Sequence, residues 1–273
     1  MPTRYSSADL HLHTTASDGT ASPTEVITWI AEETDLKVVA ICDHNTNEGA
    51  LEAASIAHRH GIEVIVGQEI ESSDGHILGL WTPKIVAPGM PAQATVDAVH
   101  RQGGLAVAAH PYAPRWWAQH GLCRGDTETY DTVDYDGIEV ANSTPLLFFA
   151  NFHARRYWRA NATRLAATGG SDAHILSAIG TSRTLFPGTT AAELRAALQS
   201  RTTRGWGPSF NPFRGVAYAR KVREIQARDR ESRQRTADGE GASGCAACEV
   251  CGAREPGADG LEDQAVRTRV DSA

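Results

Sequence analysis

The stretch KVVAICDHN, residues 37–45, decides the fold: an apolar run of strand length ends directly on Asp43 and His44. The same arrangement recurs three times. IEVIVG (62–67) leads to Glu69, GLAVAA (104–109) to His110, and RLAATGGS (164–171) to Asp172. Further strand-like runs are ADLHLHT (8–14), HILGLW (76–81) and DGIEV (136–140). Between the runs lie amphipathic stretches with helix signals. SPTEVITWIAEE carries Ser22 as an N-cap, Pro23 at the first helical position and Glu25 three residues after the cap. NEGALEAASIAHRHG closes on Gly61, which suits a left-handed C-terminal residue. PAQATVDAVHRQGG, LLFFANFHARRYWRANATRLAA and TAAELRAALQS complete the helical set. This alternation predicts repeated strand–helix units and a largely parallel sheet. Open and closed parallel sheets share that pattern. The polar residues at the strand ends favour the closed form, because a barrel gathers the carboxyl ends of all its strands on one face.

Composition narrows the function classes. With 273 residues and 41% hydrophobic content, the chain holds enough apolar material for one large α/β domain. No run reaches the roughly 18 apolar residues of a membrane span, and the N-terminus lacks the apolar core of a secretory signal. A cytoplasmic protein without a membrane partner is expected. Five cysteines, Cys42, Cys123, Cys245, Cys248 and Cys251, are too few and odd in number for a disulfide framework. The net charge of −7 is unevenly spread. Residues 1–200 hold 13 Lys/Arg against 22 Asp/Glu, which disfavours long-range attraction to a nucleic-acid backbone. Residues 201–235 reverse the balance with 10 basic against 3 acidic, and the remainder is acidic and rich in Gly, Ala and Ser. The expected organisation is a domain over 1–215, a basic helix or linker over 216–235, and a disordered acidic tail over 236–273 that carries the Cys245, Cys248, Cys251 cluster.

The chemistry lies in a series of His and carboxylate positions. In chain order these are His11 and His13, Asp18, Asp43 and His44, Glu69, His76, His110, then Asp172 and His174. His11 and His13 stand two apart on a strand, so both imidazoles face the same side. Imidazole and carboxylate without thiolate suit zinc, manganese or iron. Any one of these positions alone is weak, but their concurrence at strand ends predicts a metal site.

These residues resemble the PHP (polymerase and histidinol phosphatase) family of metal-dependent phosphoesterases. HLHTTASDGT (11–20), ICDHN (41–45), AAHP (108–111) and GGSDAH (169–174) match its four motifs, with VGQEI (66–70) and GHILGL (75–80) between them. The resemblance covers roughly residues 8–215. It implies a distorted seven-stranded β/α barrel and two to three divalent ions (Zn, Mn or Fe). His11, His13, Glu69 and Asp172 would hold the first ion, and Glu69, His76 and His110 the second, with Glu69 bridging. Asp18, His44 and His174 would hold the third. Asp43 is expected behind the ligands as a hydrogen-bond acceptor. Catalysis is assigned to Glu69, Asp18 and His174, with metal-bound hydroxide as nucleophile. His58, His60, His100, His120 and His153 fall off the pattern and are read as surface residues.

Substrate is less legible. Arg115 and Arg183 lie near motif ends, and each reads either as a phosphate-binding fork or as a surface ion pair. Trp116 and Trp117 are either a ring-binding floor or packing aromatics. Only 33 residues separate His76 from His110, so the inserted helical domain of family members that trim RNA or hydrolyse nucleoside bisphosphates is absent. The expected function is hydrolysis of a small-molecule or nucleotide phosphomonoester, with no protein partner and nucleic acid entering only as substrate. The alternatives are a nuclease acting on nucleic-acid ends and a non-catalytic metal-binding scaffold.

Overall fold

The protein is described by a computed structural model over residues 4–113, 127–144 and 147–207. Arg115, Trp116, Trp117, His120, Cys123, the basic stretch 216–235 and the tail 236–273 with its cysteine cluster lie outside the described residues. All seven expected strands form: β1 (Tyr5–Leu12), β2 (Val38–Ile41), β3 (Glu63–Ser72), β4 (Gly75–Leu80), β5 (Leu105–Ala108), β6 (Gly137–Asn142) and β7 (Ala166–Gly170). Two strands were not expected, β8 (Arg183–Pro187) and β9 (Arg204–Trp206). The single sheet among the described residues therefore has nine strands, in the order β7-β6-β5-β4-β3-β2-β1-β8-β9. β1 to β3 pair in parallel, as do β5 to β7, whereas β4 runs antiparallel to both neighbours. That reversal has a local cause: only Ser73 and Asp74 separate β3 from β4, and so short a connection can join only antiparallel strands.

The sheet curls into a nearly closed barrel. At the carboxyl ends the chain after β7 returns to β1, where the Asp172 amide donates to His11 O at 2.8 Å and the His13 amide to Ala173 O at 3.0 Å. Lower down, the Gly169 amide donates to Thr184 Oγ1, and that hydroxyl donates to Gly169 O. Gly170 makes this closure close enough, since a Cβ there would stand 2.5 Å from His11 Cβ.

The helices form where the caps direct them. α1 (Pro23–Glu33) and α6 (Ala191–Gln199) both begin on capping boxes, Ser22 with Glu25 and Thr190 with Glu193. α2 (Glu48–Ala57) runs through a short 3-10 turn to Gly61, which is left-handed as expected. α3 (Ala92–Arg101), α4 (Thr127–Thr132) and α5 (Phe148–Asn161) complete the set, and none of these helices is long and apolar enough to cross a membrane. One apolar cluster combines Val38, Ala40 and Cys42 of β2 and its end with Ile65, Leu78, Leu80 and Phe186, and α6 adds Leu194 and Leu198. His44 and Glu69 continue the same side-chain alternation beyond Cys42 and Ile65, and His76 precedes Leu78 in step. The polar site therefore sits on top of an apolar floor. In β1 a register irregularity between Asp9 and Leu12 resets the alternation around the two histidines.

Asp9, fully buried, fastens this region from behind. Its Oδ1 accepts the Ser171 amide at 2.9 Å and the His11 amide at 3.3 Å, and its Oδ2 accepts the Gly180 amide at 2.7 Å. Burial raises its carboxyl to about 6 despite the lowering effect of these bonds. Asn at position 9 would keep one acceptor oxygen and turn an amide toward a backbone donor. Asp9→Asn is expected to cost about 1–3 kcal/mol, the penalty for an unsatisfied buried donor. A chemical denaturation midpoint unchanged from wild type would refute this.

Candidate metal centre

The nine expected ligand positions come together at the carboxyl end of the barrel, and Glu69 is their centre. Its Oε1 lies 2.8 Å from His76 Nδ1 and 2.9 Å from His110 Nε2. Its Oε2 lies 3.3 Å from His11 Nε2, 3.3 Å from His13 Nε2 and 3.4 Å from His44 Nε2. One carboxylate thus faces five imidazoles. Asp172 Oδ1 stands 3.2 Å from His13 Nε2 and 3.5 Å from His11 Nε2. Asp18 Oδ2 is 3.1 Å from His174 Nε2 and 3.9 Å from His44 Nε2.

Three groups of donor atoms lie within 4.8 Å of one another: His11, His13, Glu69 and Asp172; His13, Asp18, His44 and His174; and His44, Glu69 and His76. The first is the expected first set. In the second, His13 joins Asp18, His44 and His174. In the third, His44 stands beside Glu69 and His76, while His110 approaches through Glu69 Oε1. His13 and His44 therefore sit between neighbouring groups, a sharing that sequence spacing did not suggest.

The donor set fits divalent ions on grounds internal to the protein. His13 Nδ1 is buried without a hydrogen-bond partner, and His11 Nε2, though 3.3 Å from Glu69 Oε2, makes no well-directed hydrogen bond. Burying such nitrogens is costly unless something accepts their lone pairs or protons. Electrostatics point the same way. Burial alone would push Glu69 up, but the charges of His44, His11 and His76 hold it well below the usual carboxylate range. Asp172 is likewise held well below its ordinary value: burial opposes this, and His11, His13 and His174 outweigh it. His174 is raised to about 9, because its bond to Asp18 overcomes burial. His13 is lowered by burial and by the neighbouring His174. Ionised carboxylates interleaved with imidazoles form a dense set of oxygen and nitrogen donors.

Several residues that sequence reading passed over hold the donors in place. Glu139, in β6 and buried, has Oε1 3.3 Å from His11 Nδ1, and its Oε2 accepts the His110 amide at 2.8 Å. The Asn142 side-chain Nδ2 donates to Glu139 Oε2 at 2.9 Å and to Asp172 Oδ2 at 3.2 Å. The Thr144 hydroxyl donates to the same Asp172 oxygen at 2.8 Å. Asp172 is thus left with Oδ1 for the cluster. The available signal was the charged Glu inside the apolar run DGIEV. Asp43 accepts from the Thr14 amide and hydroxyl, both at 2.7 Å, and from the Ser17 hydroxyl at 2.6 Å, which ties down the loop between His13 and Asp18. Asn45, His110 and Asp172 adopt positive φ of 55°, 25° and 54°. Such strain in residues with a side chain clusters at functional sites.

Arg183 is placed elsewhere. Its guanidinium is 2.5 Å from Asp35 and donates to Gly180 O and Ser7 Oγ, the contacts expected of the ion-pair reading. Among the off-pattern histidines, His58, His60, His100 and His153 are exposed, and His100 pairs with Asp136 at 2.8 Å.

Comparison with known proteins agrees with this architecture. A family model described as PHP domain matches residues 9–136, and one described as PHP-associated matches residues 149–203. An uncharacterized protein of Methanocaldococcus jannaschii is 33% identical over 147 residues, covering 50% of this chain and 81% of that protein. A 5'-3' exoribonuclease of Haemophilus influenzae is 47% identical over 76 residues, covering 26% of this chain and 27% of the relative. A 3',5'-nucleoside bisphosphate phosphatase of Chromobacterium violaceum is 39% identical over 101 residues, covering 36% of this chain and 34% of the relative. The chain thus spans about a third or less of the two relatives with a stated activity. In fold it resembles a two-domain protein of Bacteroides vulgatus described as containing a PHP-like metal-dependent phosphoesterase. The TM-score is 0.61 at 18% identity, over 75% of this chain and 65% of that one.

Proposed function

Because the chain belongs to the PHP domain family, whose members are metal-dependent phosphoesterases, we propose that it hydrolyses a phosphate ester, foremost a small-molecule or nucleotide phosphomonoester. The observation that carries this reading is Glu69, one buried carboxylate facing five imidazoles. His11, His13, Glu69 and Asp172 would hold one ion, His44, Glu69, His76 and His110 a second, and His13, Asp18, His44 and His174 a third. Bound there, divalent ions supply positive charge for phosphoryl oxygens and acidify water. The protein's own part is to keep those donors converged, through Glu139, Asn142 and Thr144 on one side and Asp43 on the other.

Among the described residues, no side chain at the centre of the site is set up as a covalent nucleophile. The imidazoles face carboxylates, and burial pushes the Cys42 thiol far above its ordinary range. Water is then the attacking group. Hydrolysis in oxygen-18 water is expected to label the phosphate released in the first turnover. Unlabelled phosphate in that turnover would mean a phosphoenzyme. A screen of phosphorylated metabolites with metal-reconstituted protein tests the substrate class, and full metal occupancy without turnover on any ester would defeat the enzymatic reading.

A second reading, cleavage at nucleic-acid ends, is supported by the likeness to the Haemophilus influenzae exoribonuclease. Shortening of an end-labelled oligonucleotide at low salt separates it from the first.

A further inference from the structure

α5 carries an unusual outer face. Phe149 and Phe152 are 66% and 61% exposed, and His153, Arg156 and Arg159 are exposed with them. Positions 149, 152, 153 and 156 follow helical spacing, so they share one face, and Arg159 extends it by nearly another turn. From Phe149 to Arg159 this face is about 15 Å long. α5 has three arginines and no acidic residue, in a chain of net charge −7. Arg155 is tied to Val140 O, whereas Arg156 and Arg159 meet no acidic partner among the described residues.

This face is anchored to the cluster at its upper end. Asn151 of α5 accepts the Asn142 amide at 3.0 Å and donates to Asn142 O at 2.7 Å, and the Asn142 side chain reaches Asp172. The His153 ring lies 5.8 Å from Tyr112, two residues beyond His110, and 5.6 Å from Phe152. Tyr112, His153 and Phe152 therefore form a run of rings that reaches solvent on α5, the helix that also carries Arg156 and Arg159.

Exposed aromatics followed by exposed arginines along one helix face fit one kind of occupant. Single-stranded nucleic acid offers bases that stack on any ring and phosphates that pair with arginine, and its recognition is sequence-tolerant for that reason. We propose that the outer face of α5 binds a short single-stranded oligonucleotide, bases against Phe149 and Phe152, phosphates at Arg156 and Arg159. A protein partner would leave the arginines without acids to meet unless it supplied them, and it would gain nothing from the continuity with a phosphate-handling site. The proposal concerns binding, not turnover; the choice of occupant rests in part on the phosphoesterase reading, while the binding test below is read without turnover.

The test is fluorescence anisotropy of a labelled single-stranded 12-nucleotide RNA titrated with the full chain in EDTA at low salt. Wild type is compared with Phe149→Ala/Phe152→Ala and with Arg156→Ala/Arg159→Ala. Both pairs lie on the surface, and unchanged thermal melts establish that the variants fold. Each pair is expected to weaken binding at least about tenfold, and the arginine pair to reduce the slope of log affinity against log salt by about 1.4. Oligonucleotide binding equal in all three proteins would place it elsewhere, for instance on the basic stretch 201–235, and overturn the proposal. So would no binding by wild type, or variants that change only the oligomeric state in light scattering, which would make the face a contact between copies.

Discussion

A Glu69→Gln protein is expected to lose turnover on every phosphate ester by about a thousandfold or more, equivalent to about 4 kcal/mol of transition-state stabilisation. The reason is geometric. Both Glu69 oxygens are engaged, Oε1 with His76 and His110 and Oε2 with His11, His13 and His44. An amide keeps the shape but removes the negative charge and replaces one acceptor with a donor, so two neighbouring donor groups are disturbed together. Elemental analysis after reconstitution is expected to show lower metal content than wild type. Near-normal turnover with full metal content would remove Glu69 from the centre of the site. An equivalent change at Asp18, half exposed and facing His174, His13 and His44, is expected to be milder.

The sequence was most informative where local chemistry and tertiary demand coincide. KVVAIC and IEVIVG are β-branched runs too short for helices, and they became β2 and β3 with His44 and Glu69 at their ends. Ser22, Pro23 and Glu25 are a helix start that acts through its own backbone, so it needed no tertiary context. β8 and β9 escaped notice for the opposite reason. RTLFP is bounded by Pro187 and has Arg183 at its head, and three-residue β9 has no periodicity to read. Both strands exist because β1 and then β8 offer an edge. Arg183 shows the same limit from the side of function: its distance from a motif in the chain was short, but one of its guanidinium nitrogens pairs with Asp35, remote in sequence. The positions that converge in the cluster were legible because imidazole and carboxylate at strand ends are rare by chance. The residues behind them were not, since a buried Glu in a strand looks, in one dimension, like a solvent-facing one.

Glu139 makes that last point measurable. Replacing it with glutamine is expected to weaken metal affinity about 10–100-fold, the usual cost of removing a carboxylate that orients a ligand imidazole. Glu139 Oε1 faces His11 Nδ1, which favours a proton on that nitrogen and turns the Nε2 lone pair toward the cluster. Its Oε2 holds the His110 amide at a residue whose φ is 25°, so it also maintains a strained turn that carries a ligand position. In Glu139→Gln one of these two acceptors becomes an NH2 group facing a donor, either the His11 ring N–H or the His110 amide. The desolvation cost of that buried donor, about 1–3 kcal/mol, is common to the metal-free and the loaded protein, and in the loaded protein the lost metal affinity adds to it. Metal titration against a chromogenic chelator reads the affinity directly, without recourse to a substrate. Thermal melting of the metal-free protein should change less than that of the loaded protein, because ligand-linked stability follows affinity. Equal loss of stability in both forms, with unchanged chelator competition, would assign Glu139 to the fold alone.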